Sequence, residues 1–166
     1  MLYLNIYKPF LLSKQFDFVI GNPPWLTYAD VTNSAYQKML NDLAEKYDQI
    51  PKSKANMPHL EIAAIFLSHS SSYFLKDNGK IIFVLPRSFL SADQHDNSRS
   101  GKALGFKIKE VWDLVDVSPL FRIPSCVVFA DKSPIEKKEN RAIPKSGIDG
   151  LTFSGNPFSE RLIEDK

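Results

Sequence analysis

The sequence predicts an α/β fold with a mostly parallel sheet and an antiparallel strand at its edge. Three observations predict it. Two short apolar runs, Phe16-Asp17-Phe18-Val19-Ile20 and Ile81-Ile82-Phe83-Val84-Leu85, have the length of buried strands and stop at prolines. Apolar spacings of three and four fill the stretch between them. Two later apolar segments, 107–117 and 125–130, have no room for a helix between them. Strands separated by helical patterns form layered parallel sheets, whereas adjacent strands pair as a hairpin.

Taken in order, residues 2–7 (Leu-Tyr-Leu-Asn-Ile-Tyr) favour an extended conformation. The 16–20 strand runs into Gly21 and Asn22, followed by two prolines. Tyr36, Met39, Leu40, Leu43 and Tyr47 give residues 34–47 one apolar helix face. Residues 48–56 are polar and read as a mobile loop. A stronger helix covers 58–76, with Leu60, Ala63, Ala64, Leu67, Ser71, Phe74 and Leu75 on one side. Asp77-Asn78-Gly79 ends it, with Gly79 suited to a left-handed cap. The 81–85 strand is apolar on both faces, as a central parallel strand is, and Pro86 closes it. Residues 91–105 read as irregular with a short helix. The hairpin-like pair that follows is expected at the sheet edge. The division into domains is 1–131 for the α/β unit and 132–166, rich in Lys, Glu, Pro and Gly, for a linker or the remnant of another module.

Composition narrows the function classes. The chain has 166 residues, 43% of them apolar, enough for one domain with a core. A net charge of +2 announces no nucleic-acid binder by itself. Cys126 is the single cysteine, which excludes an internal disulfide and a multi-cysteine zinc site and suits a reducing cytoplasm. His59, His69 and His95 lack metal-ligand spacing, so no metal is expected. No apolar run reaches the ~18 residues of a membrane span. Asn5, Lys8 and Pro9 break any signal-peptide core at the start.

Asn22-Pro23-Pro24-Trp25 carries the chemistry. A residue before proline is pushed away from helical geometry, so Asn22 projects from extended backbone. Pro23 and Pro24 fix their φ angles and donate no hydrogen bond, which leaves carbonyl acceptors. The loop lies at the carboxyl end of a strand, where ligands of open α/β sheets bind. The Asn22 side-chain oxygen and the Pro23 carbonyl can hold both N–H groups of a planar amine. They would draw its nitrogen toward tetrahedral geometry and stabilise positive charge in the transition state. Trp25 offers a face on which a ring can stack. A plain surface turn is the competing reading of these four residues, since Asn-Pro and Pro-Pro are common turn formers.

Set in their context, these residues resemble the amino-methylating DNA methyltransferases, in particular the adenine-specific (N6) branch found in type I and II restriction–modification systems. "FDFVIGNPPW" (16–25) is similar to that family's catalytic strand and loop. "LEIAAIFLSHSSSYFLKDNGKIIFVLPRSFL" (60–90) resembles its next helix and strand, and "EVWDLVDVSPLFRIPSCVVFA" (110–130) its late strand pair. The resemblance implies a partial Rossmann-like fold dependent on S-adenosylmethionine, with the first strands missing. It implies that Asn22, Pro23, Pro24 and Trp25 form the catalytic loop. It further implies that Trp25, Phe121 and Pro86 contact a flipped adenine, and that Phe10 and Asn22 lie against the cofactor. Double-stranded DNA is the implied partner. The family's glycine-rich cofactor loop has no counterpart: the nearest spacing, Gly101 to Gly105, lies far downstream. Pro9-Phe10-Leu11 stands where an acid-containing element is usual. The cofactor pocket is therefore expected to be incomplete, and 16–21 is expected to pair with residues 2–7, with the missing cofactor half or with a second copy. Methylation of a protein glutamine or of RNA, and a non-catalytic remnant that binds nucleic acid or a partner, are the alternatives.

Other residues have ordinary expectations. Lys76, Lys80, Arg87, Arg99, Lys102, Lys107 and Lys109 are a candidate phosphate-contacting set, against a merely solvated face. Ser68, Ser70, Ser71 and Ser72 read as a polar helix patch, Cys126 as a small buried hydrophobe, and Asp17 as a structural partner at a strand start.

Overall fold

The computed structural model describes residues 12–136 and 140–158, and the backbone of 163–165. The extended segment expected at 2–7 and the cofactor contact expected of Phe10 lie outside the described residues. Six strands make one sheet in the order β1-β2-β4-β3-β5-β6: β1 Phe16–Gly21, β2 Leu75–Pro86, β3 Phe106–Val117, β4 Ser125–Lys132, β5 Asp149–Gly155 and β6 Ile163–Asp165. β1 and β2 are parallel, as are β3 and β5, while β4 is antiparallel to both β2 and β3. Hence β1, β2, β3 and β5 share one direction, and the sheet is mostly parallel as expected. β6 runs against β5 at one margin.

The β3–β4 pair is antiparallel but does not stand at the edge. β4 is inserted between β2 and β3, and β5 and β6 lie beyond β3. The residues explain the placement. Cys126, Val128 and Ala130 are at most 2% exposed on one face of β4, and Val127 and Phe129 are half-buried on the other. A strand apolar on both faces belongs in a sheet interior. Part of the segment expected as a linker joins the sheet as β5, where Leu151 pairs opposite Trp112.

One face of the sheet is covered. Helix α1, Ser34–Lys46, begins at Asn33, whose side chain accepts from Tyr36 N–H at 2.9 Å. Helix α2, Ile62–Phe74, follows a 3₁₀ turn at Lys54–His59 that contains Pro58, so the expected helix starts four residues late. Ala63, Ala64 and Leu67 of α2 pack on Ile81, Phe83 and Leu85 of β2. Its opposite side, Ile62 and Ile65, packs on Leu40 and Ala44 of α1. Ser68, Ser70 and Ser71 are buried, Ser71 on the helix side where the sequence places it. Ser71 Oγ donates to Gly105 O at 2.7 Å, and Ser68 Oγ accepts from Gln49 Nε2 at 2.9 Å.

That glutamine also corrects the loop expected at 48–56. Gln49 is fully buried, donates to Ala64 O at 3.2 Å and accepts from Ser98 Oγ at 3.0 Å. Asn97 Nδ2 donates to Asp48 O and Ile50 O at 3.0 and 2.7 Å. A segment with its polar groups satisfied inside the protein is pinned, whatever its composition. Residues 91–105 contain the expected short helix, α3, Asp96–Arg99. The left-handed residue after α2 is Asn78 (φ 65°), not Gly79. Gly79 is needed for space instead, because a Cβ there would meet Lys76 O at 2.9 Å.

The opposite face is open. Ile20, Ile82 and Phe129 lie in one cross-strand row, and Val84, Val127, Trp112 and Leu151 in the next. Trp112 touches Phe129 and Phe153, with ring centroids 4.7 and 5.4 Å apart. On β1 the exposure is largest, 59% for Phe18 and 73% for Ile20.

Candidate functional site

Residues 22–25 leave the carboxyl end of β1, as the sequence predicts, with Gly21 still paired to Phe83 of β2. Pro23 is buried, whereas Asn22 and Pro24 are exposed. The buried proline fixes the backbone, and the Asn22 side chain makes no hydrogen bond to the described residues. Its amide oxygen is free to accept from a ligand. The exit of the loop is strapped down: Ile62 N–H donates to Leu26 O and Tyr28 N–H to Leu60 O, both at 2.8 Å, around a Thr27–Glu61 bridge. Asp30 accepts from the Thr27 amide and hydroxyl at 2.8 and 2.7 Å and tightens the turn that follows.

Trp25 is half-buried, and its Nε1 donates to Val84 O at 3.2 Å. The indole is thus locked to the end of β2. Phe121, in the β3–β4 loop, meets it with ring centroids 4.8 Å apart and planes inclined by 58°. That is direct ring contact. The structure therefore brings together Asn22, Pro23, Pro24, Trp25 and Phe121. Pro86 is buried at the end of β2 and borders a neighbouring cleft of about 260 Å³ with Ser88, Ile123 and Pro124.

Behind the loop stands a polar cluster that sequence reasoning missed. Glu61 precedes α2 but does not cap it with its side chain. Its carboxylate accepts from Ser88 Oγ at 2.5 Å and lies 3.3 Å from Nε2 of the fully buried His95. Glu61 thereby ties the segment after β2 to the segment that receives the loop leaving β1. A glutamate just ahead of an apolar helix reads as a capping residue, so its spacing points away from this role. Arg87 is held by Asp113 through Nε at 3.0 and 2.9 Å, and its N–H donates to Pro124 O at 2.9 Å.

The remaining candidates disperse. Lys76 pairs with Asp17 at 3.1 Å, which gives that aspartate its structural partner, and Lys109 lies 3.8 Å from Asp131. Arg99 donates to Phe89 O at 2.9 Å. Lys80 and Lys107 line a cleft of about 790 Å³ with Lys14 and Asp77, at the opposite end of the sheet from Asn22. These cations form no single phosphate-facing row beside the loop, because strand direction sends them to opposite ends. His69 stacks on Tyr73 at 5.4 Å, and burial with Lys46 nearby holds its pKa below the usual value. Burial pushes the Cys126 thiol up to about 12. Among the described residues no three or more metal-ligating side chains gather, and no helix is long and apolar enough to cross a membrane.

Among the described residues β1 is paired on one side alone, so Asn22 sits at the margin of the described sheet.

Residues 4–121 match the Eco57I restriction-modification methylase family. A type II restriction enzyme and methyltransferase of Methanocaldococcus jannaschii is 24% identical over 128 residues, which are 76% of this chain and 10% of that protein. A class I S-adenosylmethionine-dependent methyltransferase from Listeria monocytogenes superposes with a TM-score of 0.55 at 15% identity, over 86% of this chain and 38% of its own. The type IIG restriction endonuclease BpuSI superposes with a TM-score of 0.56 at 15% identity, over 95% of this chain and 20% of its own. At such identities the two structures establish a shared methyltransferase fold, of which this chain spans a minor part.

Proposed function

The chain belongs to the Eco57I restriction-modification methylase family, and on that premise we propose that it carries the target-base half of a DNA adenine-N6 methyltransferase using S-adenosylmethionine. The observation that carries this reading is the pairing of a buried Pro23 with an exposed, unbonded Asn22 at the end of β1, beside an indole fixed by Val84 O. The exocyclic amine of adenine shares its lone pair with the ring and is a poor nucleophile. Asn22 Oδ1 and the Pro23 carbonyl accept its two N–H bonds, localise the lone pair and stabilise the positive charge that develops on nitrogen. No side-chain base is needed, since the proton can leave to water once that charge exists. A base lying between Trp25 and Phe121 requires Phe121 to withdraw, because the two rings touch when no base is present.

S-adenosylmethionine, when bound, would supply the methyl group. The half that holds it would add a strand along β1 and cover Phe18 and Ile20, the most exposed apolar side chains of that strand. In the protein that contains both halves, Asn22→Ala is expected to abolish methylation, a loss of at least about 10²-fold if the amide acts like an oxyanion-type donor or acceptor. DNA binding, measured in parallel, should stay within a few-fold. Retained methylation would reject the role of Asn22. The edge of β1 that is left unpaired among the described residues also favours a second reading, a non-catalytic nucleic-acid- or partner-binding remnant. Calorimetric titration separates the two: no heat from S-adenosylmethionine with both halves and DNA present supports the remnant.

A further inference from the structure

The β3–β4 loop, residues 118–124, is exposed along its whole length although it holds Leu120, Phe121 and Ile123. Both feet are pinned: Ser118 N–H donates to Gly155 O and Arg87 N–H to Pro124 O, each at 2.9 Å. The five residues between are therefore a short projecting tip rather than a loose segment. Phe121 turns onto Trp25. Leu120 and Ile123 remain 40% and 47% exposed, beside an exposed Arg122. The tip contains a cation and no carboxylate. The pinned feet hold it at the mouth of the amine-gripping loop, where Phe121 meets Trp25.

Pulling a base from a duplex leaves a hole in the stack and costs a few kcal/mol of lost stacking. Apolar side chains inserted between base steps offset that cost by replacing water with contact. We propose that Leu120 and Ile123 form a wedge that enters the base stack of double-stranded DNA next to the extruded base, with Arg122 on a flanking phosphate. The inference rests on the reading of the site as one that takes a base from DNA. It adds a task for side chains outside the amine-gripping pair. A protein surface covering the same tip is the competing occupant. Arg122 and the lack of acidic side chains on the tip favour the polyanion.

The test compares two fluorescein-labelled duplexes by anisotropy at one fixed salt concentration. One is fully paired; the other carries a single adenine opposite an abasic site, where the hole already exists. The chain is expected to bind the second about tenfold more tightly, equal to about 1.4 kcal/mol. Leu120→Ser with Ile123→Ser should reduce that preference to less than about twofold, with the paired duplex bound as before and the far-ultraviolet circular dichroism unchanged, as exposed positions allow. Asn22→Ala should retain the tip's part of the preference. A double variant that prefers the abasic duplex as strongly as the parent overturns the wedge and leaves the site reading standing. Parent protein that binds neither duplex overturns both.

Discussion

β1 and β2 are parallel neighbours with almost the same apolar lettering, Phe-Asp-Phe-Val-Ile against Ile-Ile-Phe-Val-Leu, yet they occupy opposite environments. On the face they share, Ile82 of β2 is half-buried while its partner Ile20 of β1 is 73% exposed; on the other face, Ile81 is fully buried while its partner Val19 is only half-buried. The difference comes from neighbours. β2 has a strand on each side and α2 on one face; β1 has a strand on one side alone among the described residues, with only Val19 packed against the shared core. The strand that presents Asn22 is thus an edge strand among the described residues. An apolar strand that could be buried is left as an edge, which natural sheets normally shield.

The contrast can be broken or sharpened experimentally. The largest effect is expected in β2: Phe83→Ala should cost about 3–5 kcal/mol of stability in urea titration, since it empties a core position. A loss below about 1 kcal/mol would mean that Phe83 is not core. Next, Ile20→Lys should leave the stability of the isolated chain within about 0.5 kcal/mol, because nothing packs on it. The same variant should lose association with a cofactor-binding half, or shift a self-associating sample to monomer in sedimentation. Unaltered association would separate β1 from that interface.

The smallest effect concerns Cys126, on the β4 strand beside Leu85. Burial raises its thiol pKa to about 12. An unfolded thiol ionises near about 8.5. The folded state then keeps its proton where the unfolded state releases it. The resulting stabilisation is full below the unfolded value and is lost as pH rises toward 12. Cys126→Ala should flatten the part of the stability–pH curve between about 9 and 11, relative to the parent. Identical slopes for the two proteins would show that the thiol is solvated.

How far the sequence reveals this molecule depends on where the signal resides. The strand-to-loop turn at 16–25 is local, carried by apolar run, glycine and prolines, and it is found where expected. So are both long helices, though Pro58 and the 3₁₀ turn delay the second. The placement of β4 is not local: whether a hairpin-like pair stands at an edge depends on partners from 149–155, where Leu151 and Phe153 are too sparse to announce a strand. Gln49, Glu61 and the buried serines escape for a similar reason. Polar letters read as surface unless the partners that satisfy them are known. Within the site, the Trp25–Phe121 contact joins residues 96 positions apart by tertiary geometry alone (121 − 25).

The seat of β4 between β2 and β3 has a consequence for synthesis. When β2 leaves the ribosome at Pro86, the strand that will cover its second edge ends 46 residues later, at Lys132 (132 − 86). At roughly 5–20 residues per second, Ile81 to Leu85 wait several seconds with one side unpaired. During that interval the nascent polypeptide presents two adjacent greasy ribbons, and a holding chaperone or an already finished neighbouring module would have its best opportunity to engage them.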